Sequence, residues 1–209
     1  MLVVGPYRRE RALEYARRWA LSRNPLFADF AGIGGDCTNF VSQCVYAGCC
    51  QMNLTPVFGW YYISKDDRAA AFSGVEYFYN FIVGNTGVGP YATEVDAAAL
   101  AVGDVVELGR EGEGYYHALL VVGRSAEGEL LVAAHTNDAL DRPLSTYTFD
   151  MARYLHIEGV RYPASGIGDC YAPMLAGEAL LIRGEGEGEP SPLPLPPILD
   201  SENQLIEGE

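Results

Sequence analysis

Basic residues are scarce in this chain. It has 14 lysines and arginines against 28 aspartates and glutamates, a formal net charge of −14 at pH 7. A surface of that sign repels phosphate backbones and anionic headgroups, so neither nucleic acid nor a membrane is an expected partner. Long apolar runs are missing too: nothing approaches the length of about 18 residues that a membrane-crossing helix needs. No secretory leader is seen, because the short apolar start Met1–Pro6 gives way at once to Tyr7-Arg8-Arg9-Glu10. The expected location is cytoplasmic for the chain as written, and extracytoplasmic if it is a domain of a longer exported protein. The five cysteines (Cys37, Cys44, Cys49, Cys50 and Cys170) form no C-x-x-C pair and are odd in number. Neither a zinc site nor a disulfide framework is therefore expected.

What remains is a globular composition, 49% hydrophobic over 209 residues, long enough to build one core. Residues 1–183 read as one domain. Residues 184–209 carry seven acids and no lysine or arginine. Their Gly/Glu alternation followed by a Pro-rich run cannot bury enough surface to offset ordering, so a disordered acidic tail or linker is expected there. A polyproline ligand is the alternative.

Ala12, Tyr15, Ala16, Trp19 and Ala20 recur at helical spacing over residues 7–22, and Asn24-Pro25 ends that helix. A second helix follows Gly34-Gly35, with Cys37, Phe40, Val41, Cys44 and Val45 on one stripe and Gly48 as its stop. Asp36 stands at the N-cap position, where its carboxylate would accept first-turn N–H groups. Cys37 then opens the helix, where the helix dipole favours a thiolate; a small core residue is the other reading of Cys37. The aromatic stretch 58–81 contributes to the core, while Trp60, Tyr61 and Tyr62 are candidate substrate-binding residues lining a groove.

From Ala101 the pattern turns to short strands around 105–108, 115–122 and 130–135, with more near 147–149 and 156–162. A hairpin symmetric about Ala126 would set His117 opposite His135 and leave Asn137 a diagonal neighbour. A one-residue change in the turn would shift that match. A cysteine nucleophile needs an imidazole to take its proton and a third polar group to orient the ring. Cys37, His117 and either His135 or Asn137 supply those types. His156, with no evident partner, reads as structural. A metal held by His117, His135 and Asp138 matches no recognised spacing, so no metal and no cofactor are expected.

The blocks YRRERALEYARRWALSRNPLFADF, GGDCTNFVSQCVYAGC, GDVVEL, YYHALLVVG and AAHTNDALDRPLSTY resemble, in that order, the bacterial "putative amidase domain" family. That family is grouped with papain-like cysteine peptidases and amidases such as the CHAP and NlpC-type cell-wall hydrolases, and the resemblance covers about residues 7–162. It implies an α+β, papain-like fold in which N-terminal helices, one bearing the cysteine, pack against an antiparallel sheet. It also implies Cys37 as nucleophile, His117 as general base, His135 or Asn137 as orienting residue, and Asp36 as the acidic residue preceding the cysteine. The Cys37 N–H at the helix start would serve an oxyanion. The implied activity is hydrolysis of amide C–N bonds in a peptide or peptidoglycan-like substrate. Acyl transfer through the same cysteine, or an inert peptide- or glycan-binding module, are the alternatives.

Overall fold

The computed structural model describes residues 1–166 and 168–180. The segment 184–209, expected to be a disordered tail, lies outside them. Seven strands form one antiparallel sheet: β1 (Leu2–Gly5), β2 (Gly89–Val95), β3 (Val105–Arg110), β4 (Gly114–Arg124), β5 (Leu130–Ala134), β6 (Ala139–Pro143) and β7 (Met151–Pro163). The order is β1-β7-β3-β4-β5-β6, with β2 also pairing β7. The five helices are α1 (Arg9–Trp19), α2 (Cys37–Cys49), α3 (Ala70–Ser73), α4 (Val75–Gly84) and α5 (Tyr171–Ala176). Mixed helix and antiparallel sheet make this an α+β fold.

Alternation along β4 sorts its side chains between two apolar clusters. Ala118, Leu120 and Val122 join Phe40, Val41 and Cys44 of α2 on the helix-covered face. Leu119 and Val121 join Val106, Leu108 and Val132 on the other. Helix α1 buries its predicted stripe, and its arginines are tied to acids: Arg9 to Asp104, Arg11 to Asp169 and Arg17 to Asp141.

Helix α2 departs from the amphipathic reading, because all of its residues are buried. Its polar positions are accommodated by hydrogen bonds: the Tyr15 hydroxyl donates to Gln43 (2.8 Å), and the Trp60 indole N–H donates to Ser42 (3.0 Å). Gly48 does not stop the helix. The helix continues to Cys49 and ends on Cys50 in the left-handed conformation. A Cβ on Gly48 would lie 2.2 Å from the Tyr7 ring, so glycine is there for close packing.

The expectation of no disulfide is overturned: Cys50 and Cys170 are bonded, with Cα atoms 5.3 Å apart and a sequence separation of 120. Spacing in sequence carried no sign of this, since the pairing is made by α5 packing back on α2 and α1.

Candidate active site

The chain before α2 turns through Gly34 and Gly35, at φ 93° and 121°, conformations that favour glycine. The turn delivers Asp36 and then Cys37 to the start of the helix. Asp36 is not a side-chain cap. Its own N–H donates to the Thr136 hydroxyl (2.7 Å), and its carboxylate turns away from the first turn of the helix. Oδ1 accepts from the Phe30 N–H (3.1 Å) and the Asn39 amide (2.8 Å), and Oδ2 lies 2.6 Å from His135 Nδ1. The first intrahelical bond runs from Phe40 N–H to the Asp36 carbonyl. The Asp36 side chain does not cap the helix, so N–H groups of its opening turn are left without an intrahelical or capping acceptor.

Cys37 is buried, and its thiol lies 3.8 Å from the Thr38 hydroxyl. Burial is the dominant influence and pushes the thiol up from its ordinary range. The backbone N–H of Ala118, the Thr38 hydroxyl and the Thr38 N–H pull it back down. The thiolate expected from the helix dipole is thus replaced by a neutral thiol, because desolvation outweighs the local donors. Burial also dominates at Cys44 and Cys49, where backbone hydrogen bonds offset it only in part, and pushes Cys49 up to about 12.

The influence of the Ala118 N–H sets the sulfur beside β4, at the residue that follows His117 in the strand. Strand β5 ends at Ala134 and covers β4 only from Leu120 onward, so this part of β4 is not paired by β5. His117 is 9% exposed. It lies opposite Leu108, and its ring packs 5.8 Å from Tyr147 and 6.3 Å from Tyr116. Burial, with the Arg142 charge added, lowers its pKa to about 4, so the imidazole is neutral at pH 7. The thiol and the imidazole close no hydrogen bond with one another in this ligand-free form.

His135 does not face His117. The β4–β5 pairing sets Leu120 opposite Ala133, with an irregularity after Val121. Relative to the symmetric hairpin this is a slip of one residue, and such a slip turns side chains to opposite faces. The His135 ring stacks on Phe40 of the helix-covered face at 4.1 Å. Both of its nitrogens are taken, Nδ1 by Asp36 and Nε2 by the Trp19 carbonyl at 2.9 Å.

Asn137, the other orienting candidate, is exposed. It sits with Thr136 at positive φ (66° and 61°) in the β5–β6 turn, a backbone role that asparagine fills well. Asp138 is clamped by Arg23, so His117, His135 and Asp138 do not converge on a metal.

Trp60, Tyr61 and Tyr62 are core residues, at most 4% exposed, and line no groove. Trp60 bonds Ser42, and the Tyr62 hydroxyl accepts from the Ala28 N–H (2.8 Å). The irregular spacing that suggested a surface instead belongs to a loop folded under Phe72 and Phe81. Sequence reasoning also missed Asp104. It is fully buried and binds Arg9, His156 and the Ala101 and Ile157 N–H groups.

The chain is similar to the uncharacterized protein YhbB of Bacillus subtilis (strain 168), at 32% identity over 135 residues; these are 64% of this chain and 42% of that protein. It thus spans less than half the length of this curated relative. No solved structure matches it. No described helix is long and apolar enough to cross a membrane. The model of the family described as "Putative amidase domain" matches residues 6–157, a span that holds Cys37, His117 and every strand but β1 and part of β7, and the chain belongs to that family.

Proposed function

We propose that the protein is a cysteine-dependent hydrolase of amide C–N bonds in peptides, with Cys37 as nucleophile and His117 as general base. One observation carries the reading. Of the three histidines, His135 and His156 are bonded to buried carboxylates, whereas His117 closes no hydrogen bond and sits one residue from the N–H that acts on the Cys37 thiol.

A neutral thiol beside a neutral imidazole calls for general-base attack. As sulfur bonds to the substrate carbonyl carbon, its proton passes to a ring nitrogen of His117. The carbonyl oxygen takes the negative charge and is met by the free N–H groups at the start of α2. When the tetrahedral intermediate collapses, the C–N bond breaks and the imidazolium returns the proton to the leaving amine. Water, deprotonated by His117, then hydrolyses the thioester and releases the acid and the free thiol. The imidazole must swing toward the sulfur on substrate binding, as catalytic hydrogen bonds that are open in ligand-free enzymes commonly do. A papain-like arrangement and a cell-wall peptide substrate are part of this proposal. The Cys50–Cys170 disulfide supports an oxidising, extracytoplasmic compartment.

The test is release of new amine from cell-wall peptides and synthetic peptide amides by the parent, Cys37→Ala and His117→Ala proteins. Turnover by the parent alone supports the reading. A complex in which the sulfur stays more than about 5 Å from both ring nitrogens would end it, since proton transfer needs hydrogen-bond reach. Adding a competing amine separates hydrolysis from acyl transfer, because only the latter yields a new amide.

A further inference from the structure

The residue in front of the nucleophile is held more heavily than a helix start requires. Asp36 and His135 are each about 1% exposed in their side chains. The Trp19 carbonyl can only accept, so His135 Nε2 carries a proton. Asp36 Oδ1 already accepts two N–H bonds, and the Arg23 Nε lies 3.5 Å from Oδ2. Those donors, with His135 Nδ1 2.6 Å from Asp36 Oδ2, make this a short, buried carboxylate–imidazole pair. The charged groups facing the pair are Arg23 and, beyond it, Asp29 and Asp138, both bound to Arg23.

This pair gathers three separate parts of the chain at one residue. His135 brings the end of β5 and the carbonyl of Trp19, the last residue of α1. Thr136 holds the Asp36 N–H from the β5–β6 turn, and Asn39 ties the carboxylate to the Ala28 carbonyl of the preceding loop. A conventional side-chain cap would consume the first-turn N–H groups. Here the carboxylate is drawn away, and the helix start is fixed from behind while its N–H groups remain open.

We propose that the Asp36–His135 pair is a positioning device for the Cys37 site. It holds the first turn of α2 so that the open N–H groups meet the developing oxyanion, and it does not act on His117 at all. Asp36 and His135 are positioning residues; neither reaches the reacting atoms. The kinetic part of the inference rests on the proposed hydrolase function, while its structural part does not.

The experiment uses the full chain with Asp36→Asn and His135→Gln, two conservative changes that keep hydrogen-bonding groups but discharge the pair. Three quantities are read: amide hydrogen exchange, alkylation of Cys37 by iodoacetamide, and kcat with KM for the amide substrate. Within residues 36–40, exchange at the bonded N–H groups of Asp36 and Phe40 should quicken at least about tenfold while residues 41–49 stay protected. Turnover should fall roughly 100-fold in kcat with little change in KM, as for a misplaced catalytic group. Alkylation of Cys37 should not fall below the parent's, because the base is untouched and loss of the Asp36 charge removes an influence that raises the thiol.

If alkylation fell together with kcat, the pair would be orienting His117 and the proposal would be wrong. Unchanged exchange at 36–40 would overturn it as well, and so would faster exchange along the whole of α2, which marks a merely structural role. Should the parent show no amide turnover, the hydrolase reading fails by itself and hydrogen exchange still decides this one.

Discussion

Asp104 and the Cys37 site are both buried, polar and drawn from distant parts of the chain, yet they differ in what they leave unpaired. Asp104 accepts four donors, from Arg9 (2.6 Å), the Ile157 N–H (2.9 Å), the Ala101 N–H (2.8 Å) and His156 (2.7 Å). At the Cys37 site the thiol, the His117 ring and the helix-start N–H groups close no strong bond to one another. A buried charge that is saturated serves the fold, because any unpaired valence there is costly. A site that must receive a substrate has to keep its donors and acceptors open. The contrast also explains why counting histidines did not identify their roles: two of three are committed to carboxylates.

The sharpest way to break this contrast is to remove the open groups. Cys37→Ser and His117→Ala should each lower kcat/KM about 10⁴-fold or more on any amide substrate found, as removal of a nucleophile or its base does. Retained turnover in either variant would place the chemistry elsewhere.

The saturated region should respond in the opposite sense. Asp104→Ala strands Arg9 and His156 and should cost about 3–5 kcal/mol in a urea unfolding titration. Within the folded fraction, Cys37 alkylation should remain at the parent rate. A loss of alkylation matching that of His117→Ala would mean that the two regions are one.

The disulfide gives a somewhat smaller effect. Cys170→Ser should cost about 2–4 kcal/mol, chiefly by releasing the unfolded chain from a long loop. Reductant should bring the parent's melting temperature down to that of the variant and leave the variant unmoved.

Acid should reveal His117. Its folded pKa of about 4 lies below the ordinary 6.5, so the unfolded chain binds a proton that the folded one refuses. The contribution to stability is therefore whole above pH 6.5 and lost as pH falls toward 4. Urea midpoints measured from pH 7 to pH 4 should slope less in His117→Gln than in the parent. The acid limb of kcat/KM should lie near pH 4 as well; a limb near 6.5 would show a solvated base.

The smallest effect is expected at Asn137. Asn137→Gly suits the positive φ of 66°, and should change stability by less than about 1 kcal/mol with turnover intact. A large loss of turnover would restore asparagine as the orienting group.

Local patterns account for what was legible. Helical spacing marked α1 and α2, and the glycine-flanked apolar runs marked β3, β4 and β5. The block around Cys37 carried the family. These signals are made by neighbours in sequence, where period, caps and breakers act over a few residues. Strands β1, β2 and β6 were illegible because each is defined by its partner; β1 and β2 both form against the long β7.

The sequence by itself determined an acidic α+β domain with a cysteine at a helix start and an imidazole on a strand. Only tertiary structure decided how those groups are used. One residue of register turned His135 from His117 to Asp36, a slip that no count of turn residues reveals. Burial overrode the helix dipole at Cys37 because desolvation depends on what the rest of the chain packs around the sulfur. Packing likewise enclosed Trp60, Tyr61 and Tyr62, and brought Cys170 to Cys50. Each of these outcomes depends on contacts between segments far apart in the chain, and such contacts leave no periodic trace in the sequence.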